Sequence, residues 1–307
     1  MIICASRRTD IPAFHSEWLM NRICEGYVLV RNPVAKNVVY KVDLSLRNVD
    51  LLLLMTKDPR PIVPFIEELK EMRMNICFQV TITPYGKDIE PGVPDKADIA
   101  EAFRTISKAI GKDRTIWRYD PVILNDKFDI RYHQRKFEVL CGELSGYTDR
   151  CIFSFVEEHD KLKGFYNAGK LRNVSSDEAN EIGRVLSDIA SAHSIELSIC
   201  CSEYDLSKYG ISSRGCIDTE QMKALGVPYE ELQVPIRDRC KCVRNIDIGE
   251  YDTCDHDCIY CYANRTPGGI RRQKQYNPDG EMLFGTLQRS DVIVELGSKK
   301  NSKITDF

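Results

Sequence analysis

Five cysteines, Cys240, Cys242, Cys254, Cys258 and Cys261, fall within 22 residues near the end of a 307-residue chain. The last three are spaced C-x3-C-x2-C, so one short loop can present three thiolates to a single iron–sulfur cube. Three protein ligands on a four-iron cube leave one iron open, and an open metal position points to chemistry rather than architecture, as at catalytic zinc. Cys201, Cys216, Cys240 and Cys242 remain. They could hold a second, closed 4Fe-4S cluster or a structural zinc ion. Alternatively, Cys240 or Cys242 closes the first cube as its fourth ligand. Zinc throughout is the competing reading. Zinc sites usually show paired C-x2-C knuckles, which C-x-C and C-x3-C-x2-C fit poorly. His256, between two of these cysteines, is expected to face solvent.

A site of this kind needs a scaffold, and the first two hundred residues read as one. Short apolar runs alternate with segments of helical spacing. Strands are expected at 2–5, 27–30, 51–55, 76–82, 115–119, 151–156 and 195–200, with 38–42 as a hairpin partner or an inserted strand. Helices are expected at 12–24, 61–72, 95–110, 132–144 and 176–193. Leu51 to Met55 is wholly apolar, as a strand buried on both faces requires. This order implies an α/β fold with a mainly parallel sheet, a TIM-like barrel first and an open doubly wound sheet second. The domain plan is residues 1–200 for the barrel, complete or incomplete, and 201–307 for an irregular cysteine-rich segment packed on it. A late strand is expected at 291–296.

In a parallel α/β fold the site lies beyond the carboxyl ends of the strands. Arg7, Arg8 and Asp10 follow the first strand, Arg31 and Asn32 the second, and Thr56 and Lys57 the next. Thr83, Tyr85, Arg118, Asp120, Glu157 and Glu158 follow later ones. Arg118 stands inside a strand pattern and needs an anionic partner, either Asp120 or a bound carboxylate. Arg7 and Arg8 with Asp10 form either an anion site at the mouth or an Arg–Asp pair tying the first loop.

Composition narrows the classes. A net charge of −3 gives no general pull toward nucleic acid or anionic membrane. No apolar run reaches the length of a membrane span. The start of the chain lacks the layout of a signal peptide. A cytoplasmic protein is the expectation, in which thirteen cysteines serve as metal ligands or small apolar fillers rather than disulfides. Cys4, Cys24, Cys77, Cys141 and Cys151 are expected to be buried fillers. The basic stretch 264–276 reads as a solvated loop, with contact to a nucleic-acid backbone as the less favoured role.

The C-x3-C-x2-C spacing, with Tyr260 just before Cys261, resembles the cluster motif of the radical S-adenosylmethionine (SAM) superfamily. The resemblance implies that Cys254, Cys258 and Cys261 hold a 4Fe-4S cluster whose open iron takes the amino and carboxylate groups of S-adenosylmethionine. The reduced cluster then splits SAM to a 5′-deoxyadenosyl radical. On this reading Arg7, Arg8 and Tyr260 contact the cofactor, and Arg8, Arg118 and Asp120 line the reacting centre. An electron donor and a substrate of unknown class are the implied partners. In that superfamily the motif opens the barrel, whereas here it follows the predicted domain. Over nearly its full length the chain also resembles the family called domain of unknown function 1848. The matching segments are Ser6 to Pro12, Trp117 to Pro121, Tyr209 to Ile211 with Cys216 to Asp218, and the C-terminal cysteines. That family brings no known substrate. The alternative class is an electron-transfer or structural metal protein with closed clusters or zinc.

Overall fold

The computed structural model describes residues 1–159, 162–232, 235, 238–264 and 276–297. Its strands are β1 (Ile2–Ala5), β2 (Tyr27–Arg31), β3 (Val38–Asp43), β4 (Leu51–Thr56), β5 (Ile76–Thr81), β6 (Thr115–Val122), β7 (Arg150–Phe155), β8 (Glu196–Ile199), β9 (Ser212–Ser213), β10 (Ile246–Asp247) and β11 (Val292–Leu296). Its α-helices are α1 (Ile11–Phe14), α2 (Ser16–Glu25), α3 (Ile66–Glu71), α4 (Lys96–Ile110), α5 (Ile130–Leu144), α6 (Lys163–Asn167), α7 (Ser176–Ala192) and α8 (Thr219–Ala224).

Eight strands form one parallel sheet in the order β10-β1-β4-β5-β6-β7-β8-β9. β4 is buried along its whole length, which is why it reads as an unbroken apolar run: a parallel strand is covered on both faces. Residues of alternate parity serve two cores. Ile3, Leu52, Leu54, Phe78, Val80, Trp117, Tyr119 and Phe153 pack in the large core with residues of α4, α5 and α7. Ile2, Cys4, Leu51, Leu53, Met55, Cys77, Ile116 and Ile152 meet in a second cluster with Cys200, Cys201, Cys216 and Cys242. The long helices begin where side chains satisfy their first amides. Asp95 caps α4 and Asp129 caps α5. Ser175 and Glu178 close a capping box on α7.

Three expectations change. First, β2 is not part of the parallel sheet. It pairs antiparallel with β3, and β11 adds in parallel on the far side of β3, giving a separate three-stranded sheet. Arg31 is therefore not at the rim but is paired with Asp291 at 2.7 Å. Second, the chain after residue 200 is less irregular than expected, because β9 and β10 are the two edge strands of the main sheet. Their brevity hid them: two residues carry no readable alternation. Among the described residues no strand ladder joins these two edges. Third, Cys24 is exposed, while Cys4, Cys77, Cys141 and Cys151 are buried. Residues 265–275 of the basic stretch and the tail from 298 lie outside the described residues.

Trp117 is fully buried and stacks on Phe137 with ring centroids 4.9 Å apart. Trp117→Ala should lower unfolding free energy by about 3–5 kcal/mol, the range for truncating a packed aromatic. Urea titration checks this; a loss below about 1 kcal/mol would show that the core can close over the gap.

Candidate metal centre

The loop carrying Cys254, Cys258 and Cys261 lies against the segments that follow β1, β4 and β5, as a site beyond the strand ends requires. Its neck is closed by backbone and amide bonds. Asp252 N–H donates to the Ala263 carbonyl at 2.9 Å, and Asn264 Nδ2 donates to the Cys254 carbonyl at 2.6 Å. Two aspartates at its bends, Asp252 and Asp257, hold φ of 63° and 51°, a conformation acidic and amide side chains tolerate better than most.

Two buried carboxylates anchor it. Asp10 caps α1 through Ala13 N–H at 3.0 Å, accepts Lys57 N–H at 2.7 Å, and pairs with His256 Nε2 at 2.8 Å. His256 is thus not solvent-facing: only 2% of it is exposed. The sequence signal for this was Asp10, expected with Arg7 and Arg8 at an anion site or in an Arg–Asp pair rather than against His256. Gly92 N–H donates to the His256 carbonyl at 2.9 Å. A β-carbon on Gly92 would stand 2.3 Å from the Asp255 carbonyl oxygen, so this approach requires glycine.

Glu90 is the second anchor, absent from the sequence reading because an acidic residue after a Pro-Gly-rich turn looks like surface. It is fully buried. It accepts from Lys57 Nζ at 2.8 Å, from Thr83 Oγ1 at 2.7 Å, and from Lys96 and the Tyr260 hydroxyl. Burial pushes its carboxyl up, but Lys57 and Lys96 overcome this and hold it down at about 2. Tyr260 therefore positions the cysteine loop through Glu90, while its ring lies edge-on to Tyr85 and under Lys57. Burial pulls Lys57 down, yet Glu90 and Cys258 raise it, so an ammonium ion stands beside the loop's central cysteine. Burial raises the thiol of Cys258 to about 12, with Lys57 acting against it. Cys254 also lies in the field of Cys258 and Cys261.

The arginines are held rather than waiting. Arg7 Nε is 3.3 Å from Asp247 Oδ2, and its Nη2 donates to Asn245 Oδ1 at 2.7 Å. Asp247 also accepts from Ser6 Oγ at 2.6 Å and Gly249 N–H at 2.9 Å. Arg8 places its guanidinium 5.4 Å above the Tyr251 ring. Arg118 Nη1 donates to Gln79 Oε1 at 2.9 Å, and its Nη2 pairs with Asp120. Asp120 in turn accepts from Ser154. Burial acts to lower Arg118, but Asp120, Cys216 and Cys200 raise it further above its ordinary value.

The second cysteine group lies with the inner apolar cluster. Cys216 Sγ is 3.4 Å from Cys242 Sγ, and Cys200 Sγ is 3.7 Å from Cys201 Sγ. Cys240 exchanges hydrogen bonds with both Cys201 and Cys242, and Cys216 with Cys200. Among the described residues no three His, Cys, Asp or Glu side chains stand as a finished metal cage; these thiols are joined pairwise. The structure thus separates Cys254, Cys258 and Cys261 at the mouth from Cys201, Cys216, Cys240 and Cys242 below, with Arg7, Arg118 and Asp120 between.

The chain belongs to the family described as Domain of unknown function (DUF1848), which matches residues 2–263 and so includes both cysteine groups. No curated protein matches it in sequence. Among solved structures it is similar to the pneumococcal virulence factor StrH, studied for N-glycan recognition and hydrolysis. That match has 9% identity, 86% of this chain, 82% of that chain and a TM-score of 0.33. An alpha-L-fucosidase structure from Bacteroides thetaiotaomicron gives 10% identity, 68% of this chain, 80% of that chain and a TM-score of 0.28. At these scores neither carries an argument about fold or activity.

Glu90 is ionised in the fold at pH values where an unfolded glutamate protonates. Its stabilisation is therefore complete above the ordinary value of 4.5 and lost as pH falls toward about 2. The contribution is on the order of 3 kcal/mol. Unfolding midpoints of wild type and Glu90→Gln, measured from pH 7 to pH 3, should differ most at neutral pH and converge in acid. A constant gap would show that Glu90 is not the titrating anchor.

Proposed function

We propose that this protein is an iron–sulfur enzyme of radical-SAM type, working in a reducing cytoplasm on a substrate of unknown class. The observation that carries the reading is the placement of Cys254, Cys258 and Cys261. They form one braced loop beyond the ends of β1, β4 and β5, beside a buried cation, with His256 already engaged by Asp10 and so withdrawn as a ligand. The donor set fits a cube with one open iron: three soft thiolates and no fourth ligand from the loop. A cluster held there would supply an electron to a SAM bound at its open iron. Lys57 would offset the cluster's negative charge. Arg118 and Asp120, fixed to each other by Gln79 and Ser154, would orient polar groups of whatever enters the mouth. Because Arg7 and Arg118 already face carboxylates, a SAM carboxylate would share a guanidinium rather than find one unused. The eight-stranded sheet is read as a barrel whose β9 and β10 edges approach each other, supported by the 2.8 Å bond from Val243 N–H to the Ile217 carbonyl. The same filled guanidiniums favour a second reading, a closed electron-transfer or structural protein.

Anaerobically prepared protein should contain iron and acid-labile sulfide. Adding SAM should change the spectrum of the reduced cluster. Cys254→Ala, Cys258→Ala or Cys261→Ala should each abolish that change and most of the sulfide, whereas Cys242→Ser should spare both. Sulfide that survives in all three loop variants would reject the assignment; a cluster that forms but ignores SAM would select the electron-transfer reading.

A further inference from the structure

The thiols below the mouth are too close together for a second cube. In a cube each thiolate binds a different iron, so the sulfurs are spread apart. Around one tetrahedral ion with metal–sulfur bonds of about 2.3 Å they stand only about 3.8 Å apart. Cys216 Sγ stands 3.4 Å from Cys242 Sγ, and Cys240 lies within hydrogen-bonding reach of both Cys242 and Cys201. We infer that Cys201, Cys216, Cys240 and Cys242 bind a single tetrahedral ion, zinc or ferrous iron, which ties the two open edges of the main sheet together. This inference does not depend on the cluster proposed at the mouth.

The placement of the ligands carries the structural role. Cys201 follows β8, Cys216 follows β9, and Cys240 and Cys242 lead into β10. β9 and β10 are the opposite ends of the hydrogen-bonded ladder, so one ion would bridge a gap that no ladder spans. The two segments are pressed together there: a β-carbon on Gly215 would lie 2.5 Å from the Lys241 carbonyl oxygen. Cys201 has φ of 48°, a left-handed conformation unfavourable for a residue other than glycine. That turn brings its thiol back beside Cys200, where an extended strand would send it to the other face. Cys200 is left as the fifth thiol, donating to the ligand sulfurs rather than binding. Four thiolates around a dication leave negative charge. Arg118 lies in the field of Cys200 and Cys216, and Arg7 in that of Cys4 and Cys216. Four soft sulfur donors in tetrahedral reach select zinc or iron over harder ions.

The test separates the two sites by metal analysis of the full chain. The Cys254→Ala/Cys258→Ala/Cys261→Ala variant should lose labile sulfide yet keep about one equivalent of zinc or iron, the single ion inferred here. Cys242→Ser and Cys240→Ser should lose that ion and lower the thermal midpoint, while Cys200→Ala keeps it. Because Cys242→Ser changes a buried ligand and lowers stability, wild-type protein stripped by chelator and reloaded with cobalt(II) is the second arm. It should show the absorption of a tetrahedral tetrathiolate. Zinc or sulfide-free iron in the triple variant upholds the inference and names the ion. Labile sulfide persisting in that variant, or thiols that all titrate freely with no metal bound, overturns it.

Discussion

One buried carboxylate, Glu90, holds the mouth of this protein together. It receives hydrogen bonds from a lysine after β4, a lysine at the start of α4, a threonine after β5 and the tyrosine inside the cysteine loop. Each of these groups would be costly to bury alone, and the carboxylate most of all. Together they satisfy one another, so the geometry is held by the penalty for breaking any part of it. A thiol loop with no regular secondary structure acquires a fixed position because Tyr260 reaches this carboxylate and His256 reaches Asp10.

The inner face of the sheet continues the same logic downward. Gln79 on β5 gives its amide to the Cys216 carbonyl and its oxygen to Arg118 on β6. Arg118 pairs with Asp120 two residues along the same strand, and Ser154 on β7 completes that carboxylate's shell. Strand parity makes this run inevitable once the first polar residue faces inward, because residues two apart share a face. Below it the face returns to apolar and sulfur groups. The result is a band of matched charge separating two sulfur-rich regions.

Much of the fold was legible in the sequence, because buried parallel strands and capped helices leave strong local patterns. Leu51 to Met55 announced β4, and the helical spacing of 176–193 announced α7. What was not legible depended on partners distant in the chain. A hairpin of β2 with β3 was among the expectations, but nothing in Tyr27 to Arg31 says that the pair leaves the main sheet and takes β11 on its far side. Nothing in Ser212–Ser213 or Ile246–Asp247 says that they end a sheet. At the site, Arg118 was flagged because a charge inside a strand is anomalous, and its partner Asp120 was two residues away. Glu90 and His256 were missed because a lone polar residue in a turn looks the same whether water or a buried lysine surrounds it.

The cysteine loop is laid on segments that all precede it in the chain. The mouth is built from loops after β1, β4, β5 and β6, and all of these precede the cysteine loop in sequence. β10 leads into that loop. It pairs in parallel with β1, with Ile246 beside Ile3 and Asp247 beside Cys4, and Asp247 grips the backbone and side chain of Arg7. Seven residues after Asp247 comes Cys254. Ile248 N–H donates to the Cys4 carbonyl at 3.1 Å and the Tyr262 hydroxyl to the Arg7 carbonyl at 3.1 Å, so the chain is tied to the rim beside β1 both before and after the three thiols. The edge strand that sequence periodicity could not reveal is therefore the element that brings the most conspicuous motif of the sequence to the carboxyl end of the sheet.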